Sequence, residues 1–113
     1  MKRTFLGEFE EIVLLVVAGC SEDAYGVIIW EQLQQQTGRS ITISAVHATL
    51  YRLEEKGFLS SQMGGATAER GGRRKRFFTV TALGSRALQE IQALRDQLWK
   101  AIPQEKLQLI GHS

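Results

Sequence analysis

RGGRRKRFFTVT, residues Arg70–Thr81, is a cationic run that passes without a break into a β-forming one. Five of its first seven residues are basic (Arg70, Arg73, Arg74, Lys75 and Arg76), with Gly71 and Gly72 between them. Phe77, Phe78, Thr79 and Val80 follow, the aromatic and β-branched types that suit a half-buried strand. Such an order describes a positively charged loop feeding a strand. Packing has little use for that loop, whereas a polyanion does. The bland alternative is an exposed hairpin solvated by water, and the neighbouring segments decide between the two.

Immediately upstream, Phe58–Met63 reads as a strand and Gly64–Gly72 as a glycine-containing tip, with Arg74–Val80 as the returning strand, so the two strands form a β-hairpin. Before the hairpin, Ile43, Val46, Leu50, Leu53 and Gly57 recur at spacings of three and four, which predicts a helix with one buried stripe. Its opposite face carries Ser44, Ala45, Ala48, Tyr51, Arg52 and Glu55, with His47 and Thr49 at the margins. The first exposed residues are small or hydrogen-bonding, and bulky charge comes only later. That profile suits a helix whose N-terminal half enters the major groove of DNA, where large acids would clash with phosphates.

Two further helices precede this one. Phe5–Ala18 carries Phe5, Phe9, Ile12, Val13, Val16 and Val17 on one stripe, and Leu14 and Leu15 extend it nearly all round. A helix apolar on most sides is buried on most sides, and a partner subunit can supply the second cover. Gly19 stops it, and Ser21 or Asp23 offers a cap for a second helix, Asp23–Thr37, ended by Gly38. Tyr25, Ile29 and Leu33 form the inner face of that helix, broadened by Ile28 and Trp30. Arg39–Thr42 is a short connection with room for a strand residue or two around Ile41. After the hairpin, Thr81 caps a long helix, Ala82–Ile102. Leu88, Ile91, Leu94 (or Arg95), Leu98 and Ile102 repeat there at about 3.5 residues, a coiled-coil-like stripe with Trp99 beside it. Pro103 breaks this helix, and Gln104–Ser113 is one more short turn or a fraying end.

The totals agree with one soluble domain. A chain of 113 residues with 43% hydrophobic and 23% charged content can bury a core without disulfide or metal staples. The net charge of +2 says little, but seven of the 14 basic residues lie between Arg52 and Arg76, against three acids there. Charge concentrated in this way makes a local field that the sum conceals. The single cysteine, Cys20, excludes an internal disulfide and fits a reducing cytosol. Met1-Lys2-Arg3, the apolar run Ile12–Gly19 and Cys20 imitate a lipoprotein leader. Glu8, Glu10 and Glu11 interrupt it, and the run is far shorter than the roughly 20 residues of a membrane span. A cytoplasmic protein with no membrane association is expected. Cys20, His47 and His112 are too scattered for a metal set. Gly64-Gly65 and Gly71-Gly72 lack the spacing of a phosphate-binding loop, and no nucleophile–base arrangement occurs. Neither a cofactor nor an enzymatic activity is expected.

Three helices followed by a hairpin give the order of a winged helix-turn-helix. Four segments then resemble the PadR-like transcriptional regulators. They are Tyr25-Gly26-Val27-Ile28-Ile29; Ala48-Thr49-Leu50-Tyr51-Arg52-Leu53-Glu54-Glu55-Lys56-Gly57-Phe58-Leu59; Gly72-Arg73-Arg74-Lys75-Arg76-Phe77-Phe78-Thr79-Val80-Thr81; and Ala82-Leu83-Gly84. The resemblance covers essentially the whole chain and points to the short form of the family. It implies a mainly α fold with a β-hairpin: a winged-helix DNA-binding domain over residues 1–81, and a C-terminal dimerisation helix and tail over 82–113, in one compact unit. It also implies a homodimer on a palindromic operator in double-stranded DNA, usually acting as a repressor and often released by a small molecule. Many relatives have a tyrosine where this chain has His47. If His47 meets phosphate, binding becomes pH-sensitive; the alternative is a partly exposed ring with no special role. In some relatives aromatic residues of the two C-terminal helices flank a pocket for flat, apolar drugs. Trp99 is the matching candidate, with packing in an inter-subunit core as its other reading.

Ser44, Ala45 and Ala48 are therefore expected at base edges, and His47, Thr49 and Arg52 at bases or phosphate. Tyr51, Arg73, Arg74, Lys75 and Arg76 are expected on the backbone or in the adjacent minor groove. Leu88, Ile91, Leu94, Leu98 and Trp99 are expected to form the dimer, against the partner's first helix. The competing class is a winged-helix protein-interaction module that does not bind DNA. Five positive charges beside the hairpin speak against it, since a protein partner has no need of them.

Overall fold

The structure, a computed structural model, describes residues 6–64 and 75–111. The hairpin tip falls largely outside the described residues, and so do Arg70, Arg73 and Arg74. Five α-helices and one hairpin follow each other as α1 (Glu8–Gly19), α2 (Gly26–Thr37), α3 (Ile43–Glu55), β1 (Leu59–Met63), β2 (Arg76–Val80), α4 (Ala82–Lys100) and α5 (Gln104–Gly111). The first three helices pack together, and their contact is the core. Val13, Leu14, Ile29, Leu33, Val46, Leu50 and Leu53 are all fully buried there. Each such side chain contributes roughly 1.5–3 kcal/mol by leaving water, so the stripes read from the periodicity are what hold the body together.

The segment before α2 departs from expectation. Neither Ser21 nor Asp23 caps α2, which starts at Gly26 rather than Asp23. Ser21, not Gly19, takes the left-handed backbone (φ 54°), and Ser21–Asp23 forms a single 3-10 turn. The physical reason lies across the molecule. The Phe78 N–H donates to the Ala24 carbonyl at 2.8 Å, and Tyr25 pairs with Phe77, so this stretch is extended to serve as a third edge beside β2. Around Ile41, in contrast, no strand forms. Instead the Ile41 carbonyl accepts from Trp30 Nε1 at 2.6 Å and its N–H donates to Gln34 Oε1 at 3.1 Å, which ties the α2–α3 connection to α2.

Thr42 caps α3, its hydroxyl accepting from the Ala45 N–H at 3.1 Å. At the other end the chain must turn sharply into β1. Gly57 does this at φ 87°, while the Gly57 N–H donates to the Glu54 carbonyl and the Phe58 N–H to Leu53, both at 3.0 Å. That is a helix terminus built for glycine, since a side chain at such a φ is strained. Gly57 therefore stands just beyond the helix rather than within its buried stripe. β1 and β2 pair antiparallel, with Leu59 opposite Val80, Ser61 opposite Phe78 and Met63 opposite Arg76. Phe58, Leu59 and Phe78 are buried and seal the core from below the hairpin.

Thr81 caps α4 as expected, accepting from the Gly84 N–H at 3.0 Å. Helix α4 ends at Lys100, two residues short of the expected Ile102, and after Pro103 a further eight-residue helix forms. The apolar packing of α4 on the body is made by its start, through Gly84, Ala87 and Leu88, and further along Arg95 adds an ion pair to Glu11 of α1. Its later turns project. The radius of gyration is 17.2 Å, against about 13 Å for a compact chain of this length. No helix among the described residues is long and apolar enough to cross a membrane.

Candidate nucleic-acid interface

Helix α3 presents one uncovered face. Ser44, Ala48, Tyr51, Arg52 and Glu55 are exposed along it, and Ala45 is half-buried beside them. The side chains grow from the N-terminal end to the C-terminal end, so the first two turns allow the closest approach to a partner surface. The hairpin is locked against this helix. The Tyr51 ring meets Phe78 of β2 edge-on at a centroid distance of 6.3 Å. The Ser61 hydroxyl donates to Glu54 Oε2 at 2.6 Å and accepts from Arg76 Nη1 at 2.9 Å, a chain running from α3 across β1 to β2. Lys75 is held at the foot of the wing, its Nζ lying 4.2 Å from the centre of the Tyr25 ring. Tyr25 in turn meets Phe77 edge-on at 5.4 Å. Lys75 and Arg76 stay exposed while these contacts at Nζ and Nη1 restrain their heads, so less freedom remains to be lost on binding a phosphate.

Of the two marginal residues of α3, Thr49 needs correction. Thr49 is only 2% exposed, on the core side of the helix, and so is not a side chain that can meet bases or phosphate. His47 is half-buried, at the margin of the exposed face. Its ring stacks near Tyr51 at 6.3 Å and lies against the start of α2, where a Cβ added to Gly26 would stand 2.6 Å from its Cε1. Glycine at position 26 is what admits the ring. The Nδ1 atom of His47 is buried with no hydrogen-bond partner among the described residues.

Several contributors were not singled out from the sequence. Tyr25 positions Lys75, and Glu54 with Ser61 positions Arg76. Glu10 of α1 is the least expected. It is 8% exposed, and its carboxylate accepts from the Gly7 N–H at 2.9 Å, from Arg52 Nε at 3.1 Å and from Lys56 Nζ at 2.9 Å on both oxygens. Burial pushes this carboxyl up; the Gly7 N–H, Lys56 and Arg52 outweigh it and hold the carboxyl below its ordinary value. Glu8 pairs with Arg39 at 2.7 Å and Glu11 with Arg95 of α4 at 2.8 Å. No local pattern announces these pairs, since each joins residues far apart in the chain. Among the described residues no group of His, Cys, Asp or Glu is placed to hold a metal ion.

A three-helix body with a hairpin wing packed beside the third helix defines the class, a winged helix-turn-helix. The family follows from direct comparison. The model of the transcriptional regulator PadR-like family matches residues 13–90, more than two thirds of the chain. The chain belongs to the PadR-like family of transcriptional regulators, which are DNA-binding transcription factors and not enzymes. Similar solved structures include a PadR-like transcription factor from Bacteroides fragilis, 21% identical with a TM-score of 0.69, covering 81% of this chain and 84% of that one. A PadR family regulator from Eggerthella lenta is 25% identical with a TM-score of 0.64, over 82% of this chain and 80% of its own. The complex structure of hsRosR-S4 is 22% identical with a TM-score of 0.62, over 95% and 87% of the two chains. No curated protein matches the chain.

Proposed function

We propose that the protein is a homodimeric repressor that binds a palindromic operator in double-stranded DNA, with α3 in the major groove and the hairpin wing on the backbone. The observation that carries this reading is the graded exposed face of α3 beside fixed wing cations. Ser44, Ala45 and Ala48 would read base edges, Ala48 against a thymine methyl. Arg52, Tyr51, Lys75 and Arg76 would contact phosphates, joined by Arg73 and Arg74 from the tip. His47 would act mainly by supporting Tyr51 on the same face.

The dimer would form through α4. Leu94, Leu98 and Trp99 are 53%, 58% and 59% exposed, large apolar side chains on a helix that projects from the body. Leu15 of α1 is also exposed, on the helix that read as apolar nearly all round, and gives the partner's α4 a surface to cover. Leu88 and Ile91 are half-buried on their own chain and would complete the inner end of that seam. In this reading residues 1–81 bind DNA and residues 82–113 pair the subunits. A small apolar or aromatic effector would lodge between subunits beside Trp99 and release the operator.

Selection of bound duplexes from random DNA tests the proposal. Inverted half-sites about one helical turn apart are the expected outcome. Recovery of sequences with no common motif would contradict it.

A further inference from the structure

We propose that Glu10 is a positioning residue for DNA binding: its carboxylate grips Arg52 by Nε and leaves Nη1 of the guanidinium clear of that grip, on the exposed face of α3 where a phosphate would lie. The inference rests on the proposed contact between Arg52 and the DNA backbone.

The geometry supports it in three ways. First, Glu10 is itself fixed. It sits in the first turn of α1 with its side chain only 10% exposed, and the Gly7 N–H and Lys56 Nζ hold it from two other directions. A buried carboxylate without such donors would be expelled or neutralised, so its place is not adjustable. Second, Arg52 is engaged on one side only. Nε donates to Glu10 at 3.1 Å and Nη2 leans on the Thr49 hydroxyl at 3.5 Å, while Nη1 takes part in neither contact and the side chain stays 53% exposed. A guanidinium presents its five N–H groups in a rigid fork, so fixing one edge aims the other. Third, a guanidinium stays charged at any physiological pH, so what the grip presents on the exposed face of α3 is a cation. An arginine aimed before the DNA arrives loses less freedom on binding.

The same turn of α1 reaches α4 through Glu11 and Arg95 at 2.8 Å. The residue that aims Arg52 is thus one position from the residue that ties α1 to the projecting helix. Two simpler roles compete with positioning. Glu10 could matter only for folding, or it could only repel phosphate and mask the cations.

The test uses the full chain, a fluorescein-labelled duplex of mixed sequence and fluorescence anisotropy, with circular dichroism melts to establish folding. Arg52→Ala is expected to weaken binding by ~5–20-fold and to lower the salt slope by about one. Glu10→Gln is expected to weaken binding by ~3–10-fold although it removes a negative charge, and to have no further effect once Arg52 is alanine. Glu10→Gln binding as tightly as wild type or tighter, or losing the same factor in the Arg52→Ala background, would overturn the inference. Arg52→Ala without effect would strike the proposed phosphate contact itself, and the role of Glu10 with it. Should Glu10→Gln fail to fold, Arg52→Lys decides, because lysine keeps the charge but has no fork to be held at one edge. It should lose most of what Arg52→Ala loses, and wild-type affinity in that variant would overturn the proposal.

Discussion

Glu10 shows how a single charge inside a small domain can be tolerated and put to use. Its carboxyl is held below the ordinary value of 4.5, with burial opposing and the Gly7 N–H, Lys56 and Arg52 prevailing. An acid whose folded value is depressed stabilises the protein fully above its unfolded value, and that stability drains away as pH falls through the folded value. In urea unfolding, wild-type stability should therefore decline below about pH 4.5 more steeply than that of Glu10→Gln, which has no carboxyl to protonate. Parallel curves for the two proteins would contradict the arrangement. Glu8 is depressed in the same direction by Arg39, but that pair is solvent-exposed and screened, so it adds little. Neither pair is legible in the sequence. Glu8, Glu10 and Glu11 register there only as charges that spoil a leader, since their partners lie on other elements. Thr49 illustrates a different limit. A helical wheel sets it at the edge of the exposed face, and a small rotation of α3 against the body is enough to bury it.

At the scale of elements, the strongly periodic segments were readable: α3, the two strands and α4 lie within one to two residues of where spacing and turn chemistry put them. What escaped was the stretch between α1 and α2. Its extended form depends on one pairing, Tyr25 with Phe77, across the molecule, and a single residue carries no period. The packing of α2 against α3 was likewise invisible, although it sets where the exposed face of α3 points. There the His47 ring occupies the space in which a residue larger than glycine at position 26 would project. Gly26→Ala should destabilise the protein by about 1–3 kcal/mol through overpacking. Much of that loss should return when His47→Ala is added, because the ring is the flexible party to the clash. Thermal melts of both single variants and the double variant measure the coupling. Strictly additive effects would mean that the two residues do not contact each other in solution.

Across the whole molecule the notable fact is asymmetry of burial. One end is a sealed three-helix body, while the other is a helix whose outer turns expose Leu94, Leu98 and Trp99. In the proposed homodimer a second copy covers this stripe, and Leu98→Asp should then turn a dimer into a monomer in sedimentation velocity while leaving the helical circular dichroism signal in place. DNA affinity should fall with it, since two half-sites are then no longer addressed together. A variant that stays dimeric would move the interface elsewhere. The sequence indicated the stripe, but not that Leu88 would settle partly on its own body and leave mainly the distal half exposed. We propose that the cationic run from Arg70 to Arg76 supplies affinity and that the small residues at the start of α3 supply discrimination between sequences. DNA affinity measured against salt concentration tests that claim most directly. The wild-type log–log slope should be steep, with about 0.9 contributed by each phosphate contact, and replacing Arg73, Arg74 and Arg76 by alanine should make it shallower by roughly 2–3. A flat slope, an unchanged slope in the triple variant, or no binding even at low salt would contradict it.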